Sequence, residues 1–527
     1  MKKIYFNGNI VTLEGELYAP AVLTDGGLIS KIGTAEELFA LAPDGEKIDL
    51  LGKTMLPAFI DAHGHFSSYA NAQLQVPLED CASFDEISQR ILGFIGANSI
   101  PLGEWIVAKG YDHNTLAEKA HPSLELLNSI APNNPLILQH QSGHCGVLNS
   151  KALEALGISA ETPSPAGGVI GIKDGKLTGY MEEDAYIGCI KQVPMSDLNA
   201  MLDAYRRAQK KYLSYGITTV QEGMMVAQML PLYKALIESG LLTLDVVGYS
   251  ETASMEALSA AFPKSLKKYD RHFKIGGYKI FLDGSPQVKT AWMRSPYRGS
   301  DDDFAYGTMS DADVFSAVQR AADENIQILA HCNGDRAAEQ YIGAISKLAA
   351  ENEKITSLKP VIIHAQLLGI DQLPKVAELH IIPSFFVAHV LHWGDIHIEN
   401  FGFDRAQAIS PAKSALENGI VFTFHQDAPV IEPNMLETLQ CAVTRKTKSG
   451  IVLGEAQCID VLDALKAVTI NAAYQYSEED KKGSIAVGKN ADFVILSHNP
   501  LTVEKDKISQ IGVLETIKDG VSLYRRA

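Results

Sequence analysis

Between residues 58 and 482, short apolar runs alternate with helix-length amphipathic stretches, and this alternation restricts the fold more than any other feature of the chain. Eight runs are spaced this way: FIDAHGH (59–65), ITTVQEG (217–223), LTLDVVGYS (242–250), IGGYKIFLDG (275–284), IQILAHCNG (326–334), PVIIHAQ (360–366), IIPSFF (381–386) and IVFTFHQD (420–427). Stretches such as DADVFSAVQRAADEN and DRAAEQYIGAISKLAAENE stand between them, each long enough for the crossover that parallel strands require. Strands covered on both faces read as near-continuous apolar runs, as these do. The expected class is α/β, and eight repeats fit a closed (β/α)8 TIM barrel. An open doubly wound sheet is the alternative, but no GxGxxG turn follows an early strand.

The flanks follow another pattern. Residues 1–57 carry the short β-like runs KIYFNG, AVLTDGGLISKIG and EKIDLLGKTML between Gly, Asn and Asp turn signals, and residues 483–527 repeat it in GSIAVGKNADFVILS and ETIKDGVSLYRR. The two ends are expected to pair as one composite β-sandwich bracketing a metal-binding barrel over 58–482. Within the barrel, residues 66–195 separate the first two runs, far more than one helix needs. This segment reads as an inserted α+β domain over the barrel mouth, with a hairpin in GGVIGIKDGKLTGYM turning at Lys173-Asp174-Gly175.

Composition removes several function classes. A net charge of −17 argues against nucleic acid, whose phosphates call for clustered Lys and Arg. The 6 cysteines are scattered without a CxxC pair, so neither a disulfide framework nor a zinc ribbon is indicated. The N-terminal MKKIYFNGNIVTLEG breaks at Asn7-Gly8-Asn9 before a signal-peptide core can form, and no run approaches the ~20 apolar residues of a membrane helix. A cytoplasmic enzyme with no membrane partner is expected, its homo-oligomeric state left open.

The chemistry concentrates at strand ends. His63 and His65 lie two apart after an apolar strand, so both imidazoles share a face and can chelate one ion. Lys279, His331, His364 and Asp427 each fall near the C-terminal end of a different run, where barrel enzymes assemble their sites from separate strands. Lys279 stands in an otherwise apolar strand, where an unpaired ammonium is costly. It is expected either to pair with Asp283 or to be carboxylated on its amine, which would turn it into an anionic ligand.

These motifs together resemble the amidohydrolase superfamily, and within it the amidohydrolase family 3 that includes N-substituted formamide deformylases. The resemblance rests on LPAFIDAHGH (56–65), YKIFLDGS (278–285), HCNGDRA (331–337), IIHAQ (362–366), HQDAPV (425–430) and GSIAVGKNADFVIL (483–496), with SGHCGVLNSKALEALGI (142–158) similar to the family's inserted-domain signature. It implies that His63, His65 and Asp427 hold one divalent metal and His331 and His364 a second, with carboxylated Lys279 bridging them. It further implies that Asp427 takes a proton from metal-bound water and returns it to the leaving nitrogen. Zinc is the ion expected for such a mixed His and carboxylate set, with manganese or iron as alternatives.

Two departures from the family pattern stand out. His425-Gln426 precedes Asp427 where relatives place small residues, and Cys332-Asn333 follows the strand-five histidine. His425 shares the Asp427 face by the period of two, so it is expected to contact substrate or tune the base, with a structural role as the alternative. His144, Trp292 and His389, the last in a group with His392 and Trp393, are expected substrate contacts, whereas Arg336 is expected to anchor a helix start. The implied activity is hydrolysis of a non-peptide C–N bond in a small-molecule amide: an N-acyl or N-formyl amine, or a small cyclic amide. The alternatives are a mononuclear deaminase of a cyclic amidine or aromatic amine, a lactone or ester hydrolase on the same site, and a catalytically silent scaffold barrel.

Overall fold

The computed structural model describes residues 1–194 and 197–526. The boundary expected at residue 195 and the terminal residue 527 lie outside these. The chain divides into two compact units, one of residues 1–68 with 208–527 and one of Tyr69–Arg207.

In the larger unit, strands Phe59–Ile60, Ile217–Met225, Asp245–Ser250, Phe273–Phe281, Gln327–Cys332, Val361–His364, Ile382–Phe385 and Thr423–Phe424 form one sheet, each parallel to the next. Each of the eight expected runs coincides with one of these strands; six contain theirs, while Ile217–Met225 runs two residues past its run and Phe273–Phe281 starts two residues before its own. Numbered one to eight in chain order, the first and last are only two residues long. The ring closes just beyond them, where the Asp427 N–H donates to the His63 carbonyl at 3.3 Å and the His65 N–H to the Ala428 carbonyl at 2.8 Å. The segments that carry candidate ligands therefore complete the barrel themselves.

The interior is apolar below these ends. Ile60, Ala62, Val247, Tyr249, Leu329, Val361, Ile363 and Ile382 pack together with Ala472, Ala473 and Tyr476, which follow from helix Ile470–Gln475. The outer helices form where the amphipathic pattern places them. Helix Asp311–Asp323 starts at Ser310, whose hydroxyl accepts the Asp313 N–H. Helix Asp335–Ala349 buries Ala338, Tyr341, Ile342, Ile345 and Leu348, a stripe at helical spacing turned toward the sheet.

The chain ends pair as the flanking pattern implies. Strand Thr54–Pro57 runs antiparallel to Phe493–Leu496, with Leu56 opposite Val494, so both termini enter one eight-stranded mixed sheet. Strand Lys3–Val11 pairs with three others, and the sheet branches there. Alternation along it sends Tyr5 into a core with Val22, Met55 and Phe493, and Ile4 into another with Leu23 and Leu38 beneath helix Ala35–Leu41.

The unit Tyr69–Arg207 carries a six-stranded sheet in the order Gly168–Lys173, Lys176–Glu183, Cys145–Leu148, Leu136–His140, Ile106–Tyr111, Val76–Pro77. Its edge hairpin turns where expected: Lys173 pairs with Lys176, and Asp174 and Gly175 both take positive φ, 52° and 71°. The unit ends inside helix Leu198–Ser214, later than the boundary expected from sequence.

Candidate metal centre

Strand one delivers His63 and His65, and the loop after strand eight delivers Asp427. Asp427 Oδ1 lies 3.4 Å from His63 Nε2 and 3.4 Å from His65 Nε2. In a tetrahedral zinc site with bonds of ~2.0 to 2.1 Å, neighbouring ligand atoms are ~3.3 Å apart, which both separations from Asp427 match, and all three atoms lie within 4.8 Å of one another. Asp427 Oδ1 is buried and accepts no hydrogen bond. A buried carboxylate oxygen without a donor is costly, and a cation would resolve it. The donor set therefore fits a divalent metal.

The tautomer of His63 is fixed from behind. Gln221 donates through Nε2 to the Ala62 carbonyl at 2.8 Å, which turns its Oε1 toward His63 Nδ1 at 2.6 Å. His63 Nδ1 must then carry the proton, leaving Nε2 as a lone pair directed at Asp427. Burial, with Lys279 and the neighbouring imidazoles, pushes the His63 pKa well below its ordinary value, so the ring is held in the neutral, ligating form. The approach is tight enough to need Gly223: a Cβ there would lie 2.7 Å from His63 Cε1. His65 is the more open of the pair, with 24 % of its side chain exposed. Next to it, Glu222 accepts the Ser67 N–H at 2.8 Å and the Tyr233 hydroxyl at 2.7 Å.

Lys279, on strand four, is buried, and its Nζ lies 3.3 Å from His63 Nε2. Burial pushes its pKa down to about 7, against the opposing pull of Asp427, so a large fraction of the amine is uncharged near neutrality. The alternative partner, Asp283, is engaged elsewhere. It accepts the backbone N–H groups of Asn333 (2.9 Å), Gly334 (2.7 Å) and Trp292 (3.0 Å), and its Oδ1 lies 3.2 Å from His331 Nδ1. Strand four ends at Phe281, so the alternation that would put Asp283 beside Lys279 stops two residues short of it.

His331 and His364 come from strands five and six, where Cys332 pairs with His364, and their rings meet edge to face at 4.5 Å. Asp283 on His331 Nδ1 leaves Nε2 as the acceptor, where the Asn333 side-chain amide approaches at 3.3 Å. His364 Nε2 lies 3.9 Å from Asp427 Oδ2, while its Nδ1 faces His425 Nε2 at 3.1 Å, and His425 Nδ1 meets Ser384 Oγ at 2.9 Å. Burial and the adjacent imidazoles push His364 well below its ordinary pKa, and burial brings His425 to about 3. His364 and Asp427 both hold left-handed backbone, φ 72° and 55°, a conformation that costs a non-glycine residue ~1 to 3 kcal/mol and is typical of positions fixed by function.

The other expected contacts fall in several places. His425 is fully buried with both ring nitrogens engaged, so it stands behind His364 as a support. His389 is buried against Phe386 and Trp393, with its Nδ1 3.1 Å from His397 Nε2, and His392 Nε2 meets Glu437 at 2.9 Å. Trp292 turns its ring under the Arg336 guanidinium and lines a surface cleft of about 640 Å³ with Asp311, Phe315 and Gln340, between two outer helices. Arg336 reaches Glu339 one helical turn on, as a helix-start anchor would. His144 belongs to the unit Tyr69–Arg207, is largely exposed, and places its Nδ1 3.0 Å from Glu183. Gln221, Glu222 and Gly223 were not singled out from the sequence. The signal available was two adjacent polar residues and a glycine closing an otherwise apolar strand.

A parallel eight-stranded barrel that gathers imidazoles and a carboxylate at ligand spacing beyond its strand ends has the architecture of the metal-dependent barrel hydrolases. The family model described as "Amidohydrolase family" matches residues 46–524, and the chain belongs to that family. It is 27% identical to YtcJ of Bacillus subtilis (strain 168) over 550 residues, covering 100% of both chains. It is 28% identical to the N-substituted formamide deformylase of Arthrobacter pascens, over 99% of this chain and 98% of that protein. A solved structure of an uncharacterized metal-dependent hydrolase from Pyrococcus furiosus shares the fold, with a TM-score of 0.75 and 23% identity over 95% of this chain and 100% of its own. Among the described residues no helix is long and apolar enough to cross a membrane.

Proposed function

We propose that this protein is a binuclear amidohydrolase that cleaves a non-peptide C–N bond in an N-acyl or N-formyl amine or a small cyclic amide. The observation that carries the reading is Asp427 Oδ1, buried without a donor and 3.4 Å from two imidazole nitrogens. In this reading His63, His65 and Asp427 would hold one ion and His331 and His364 the other, and Lys279, carboxylated on Nζ by carbon dioxide with release of a proton, would supply a further anionic ligand. A nearly neutral buried amine, with its expected carboxylate partner engaged elsewhere, is the state such a reaction requires. When bound, the ions lower the pKa of water toward neutrality and polarise the substrate carbonyl. Asp427 accepts the proton from the attacking water and delivers it to the departing nitrogen, as base and then acid. Gln221 and Asp283 hold the His63 and His331 rings in the ligating tautomer. The relative named as a deformylase of N-substituted formamides supports an amide substrate.

The test is a hydrolysis screen of zinc- and manganese-loaded protein on N-formyl and N-acetyl amines, cyclic imides and lactones, with and without a chelator. Metal analysis and carbon-13 bicarbonate labelling of Lys279 accompany it. Chelator-sensitive amide cleavage with a labelled lysine is expected. One barrel ion and an unlabelled lysine would overturn the binuclear reading, and activity on lactones alone would overturn the amide assignment.

A further inference from the structure

The unit Tyr69–Arg207 holds a separate group of metal-type donors. Strand Ile106–Tyr111 leads directly into Asp112 and His113, and the neighbouring parallel strand Leu136–His140 ends on His140, whose register partner is Tyr111. The two strand ends thus bring three donors together. His113 Nδ1 lies 3.2 Å from His140 Nε2, His140 Nε2 3.4 Å from Asp112 Oδ1, and His113 Nδ1 3.8 Å from Asp112 Oδ1. These separations bracket the ~3.3 Å edge of a tetrahedral site with metal–ligand bonds near 2.0 to 2.1 Å.

Each donor is held in place from outside the triangle. Gln141 donates to Asp112 Oδ2 at 2.6 Å, and the Asn114 N–H reaches Oδ1 at 2.9 Å, which together fix the carboxylate plane. Ser142 Oγ meets His140 Nδ1 at 2.9 Å and the Ser142 N–H donates to the same nitrogen at 3.2 Å, so without an ion Nδ1 accepts and Nε2, facing inward, carries a proton that binding displaces. His121 stacks on the His113 ring at 4.2 Å, and its own Nδ1 is 2.9 Å from the Tyr111 hydroxyl. Partners that hold the Asp112 carboxylate and the two rings in place are what a metal site needs around it. Asp112 Oδ1 also accepts the Asn114 backbone and side-chain N–H groups, at 2.9 and 3.0 Å, and one cation can take a lone pair from all three donor atoms once the His140 proton moves to Nδ1 with Ser142 Oγ as its acceptor.

We propose that Asp112, His113 and His140 bind a divalent cation of the zinc class that clips together the ends of two parallel strands in this unit. The fourth coordination position belongs to water, since the His113 side chain is 32 % exposed. Two imidazoles and one carboxylate favour zinc, cobalt or nickel over calcium or magnesium, which prefer all-oxygen shells. The ion's role is structural: binding only the folded form, it stabilises the unit by mass action.

The test uses the full-length protein, stripped with a chelator and re-equilibrated with zinc. Bound zinc is counted by elemental analysis in the wild type, in His113→Ala/His140→Ala, and in His140→Gln, which retains a hydrogen-bonding side chain. Hydrogen exchange is followed over 106–113 and 136–142. The wild type is expected to hold one zinc per chain more than the double variant, with at least ~10-fold slower exchange in both segments when zinc is added. His140→Gln is expected to lose the same zinc while keeping the circular dichroism of the wild type. Equal zinc content in all three proteins would overturn the proposal, as would zinc that leaves exchange in those segments unchanged.

Discussion

Charge is buried at both ends of the barrel strands, and it is settled differently at each. At the N-terminal ends, Asp245 opens strand three and receives Lys482 at 2.6 Å, Lys518 at 2.9 Å and His272 at 2.8 Å. Glu478 receives Lys482 at 2.9 Å and also pairs with Lys274 on strand four. At the C-terminal ends, among the described residues, Asp427 Oδ1 has two imidazoles beside it and no donor, and Lys279 has an imidazole nitrogen and no carboxylate within hydrogen-bonding distance. The lower network is closed and ties the barrel to the terminal sheet through Lys518. The upper cluster is incomplete as protein alone, which marks it as a place where something else binds.

The largest expected effect tests that division directly. Asp427→Asn removes the charge with little change of shape, and is expected to lower kcat at least ~10³-fold, since the proposed mechanism makes this one group ligand, base and acid. Metal-free Asn variant should unfold at the same temperature as metal-free wild type or higher, because the carboxylate it loses has no hydrogen-bond donor. A drop of several degrees would make Asp427 a structural partner like Asp245 and dissolve the contrast.

Asp245→Asn is the mirror experiment. It leaves Lys482 and Lys518 facing each other with one carboxylate fewer, and removing one member of a buried pair costs ~3 to 5 kcal/mol. Urea unfolding should show that loss, while kcat per folded molecule changes little. The pH dependence has a definite sign. Burial opposes ionisation of Asp245, but Lys482 and Lys518 outweigh it and hold the pKa well below the ordinary carboxylate value. A depressed carboxylate contributes stability that is fully present above its unfolded pKa of ~3.9 and is lost as pH falls through the folded value. Lys482 is raised: burial opposes its charge, but Asp245 and Glu478 prevail. Its contribution is present below an unfolded pKa of ~10.4 and is lost only as pH rises through the folded value. The contribution of this network, read as the difference in urea midpoint between wild type and Asp245→Asn, is therefore expected to stay level between about pH 5 and 9, with the network failing only outside that window.

Much of this was legible in the sequence, and the limit has a physical form. Buried parallel strands must be apolar along their length, so ITTVQEG and PVIIHAQ stood out; one strand starts with the first and runs on to Met225, and the other falls inside the second. Asp174-Gly175 marked a hairpin because the turn needs positive φ at both positions. The strand-end positions of the six candidate ligands were readable for the same reason, although their division between two ions came from the family resemblance. The supports were not readable. Gln221 is 158 residues from His63, and only closure of the barrel brings them to 2.6 Å. His425 was placed on the Asp427 face by a period of two, but strand eight has already ended at Phe424, and the ring turns back toward His364. The Lys279–Asp283 pair, one of the two alternatives for Lys279, is absent for the same reason: alternation was carried past the end of a strand.

These supports give the next smaller effect. Gln221→Ala releases His63 Nδ1 and with it the tautomer, and loss of such a partner lowers metal affinity by ~10- to 100-fold. Competition with a chelating dye measures it. Unchanged affinity would mean that packing alone fixes His63, and that the upper cluster is as self-sufficient as the lower.

Ser384→Ala gives the smallest and most discriminating effect. Ser384 Oγ touches neither candidate ion ligand; it meets His425 Nδ1, and His425 Nε2 meets His364 Nδ1. If His364 binds through Nε2, its Nδ1–H donates to His425, whose own Nδ1–H then needs Ser384 as acceptor. Removing that acceptor leaves one buried N–H unsatisfied, a cost of ~1 kcal/mol or a little more, which is about a fivefold loss in zinc affinity passed through two imidazoles. The competing account is that packing holds His425, whose ring lies 5.3 Å from Phe386 and 5.2 Å from His63. In that case Ser384→Ala binds zinc like the wild type and His425→Phe, which preserves the packing, does too. If the hydrogen-bonded chain is what orients His364, His425→Phe loses more affinity than Ser384→Ala, and the ratio of the two losses measures how much of the upper cluster's order comes from protons rather than from contact.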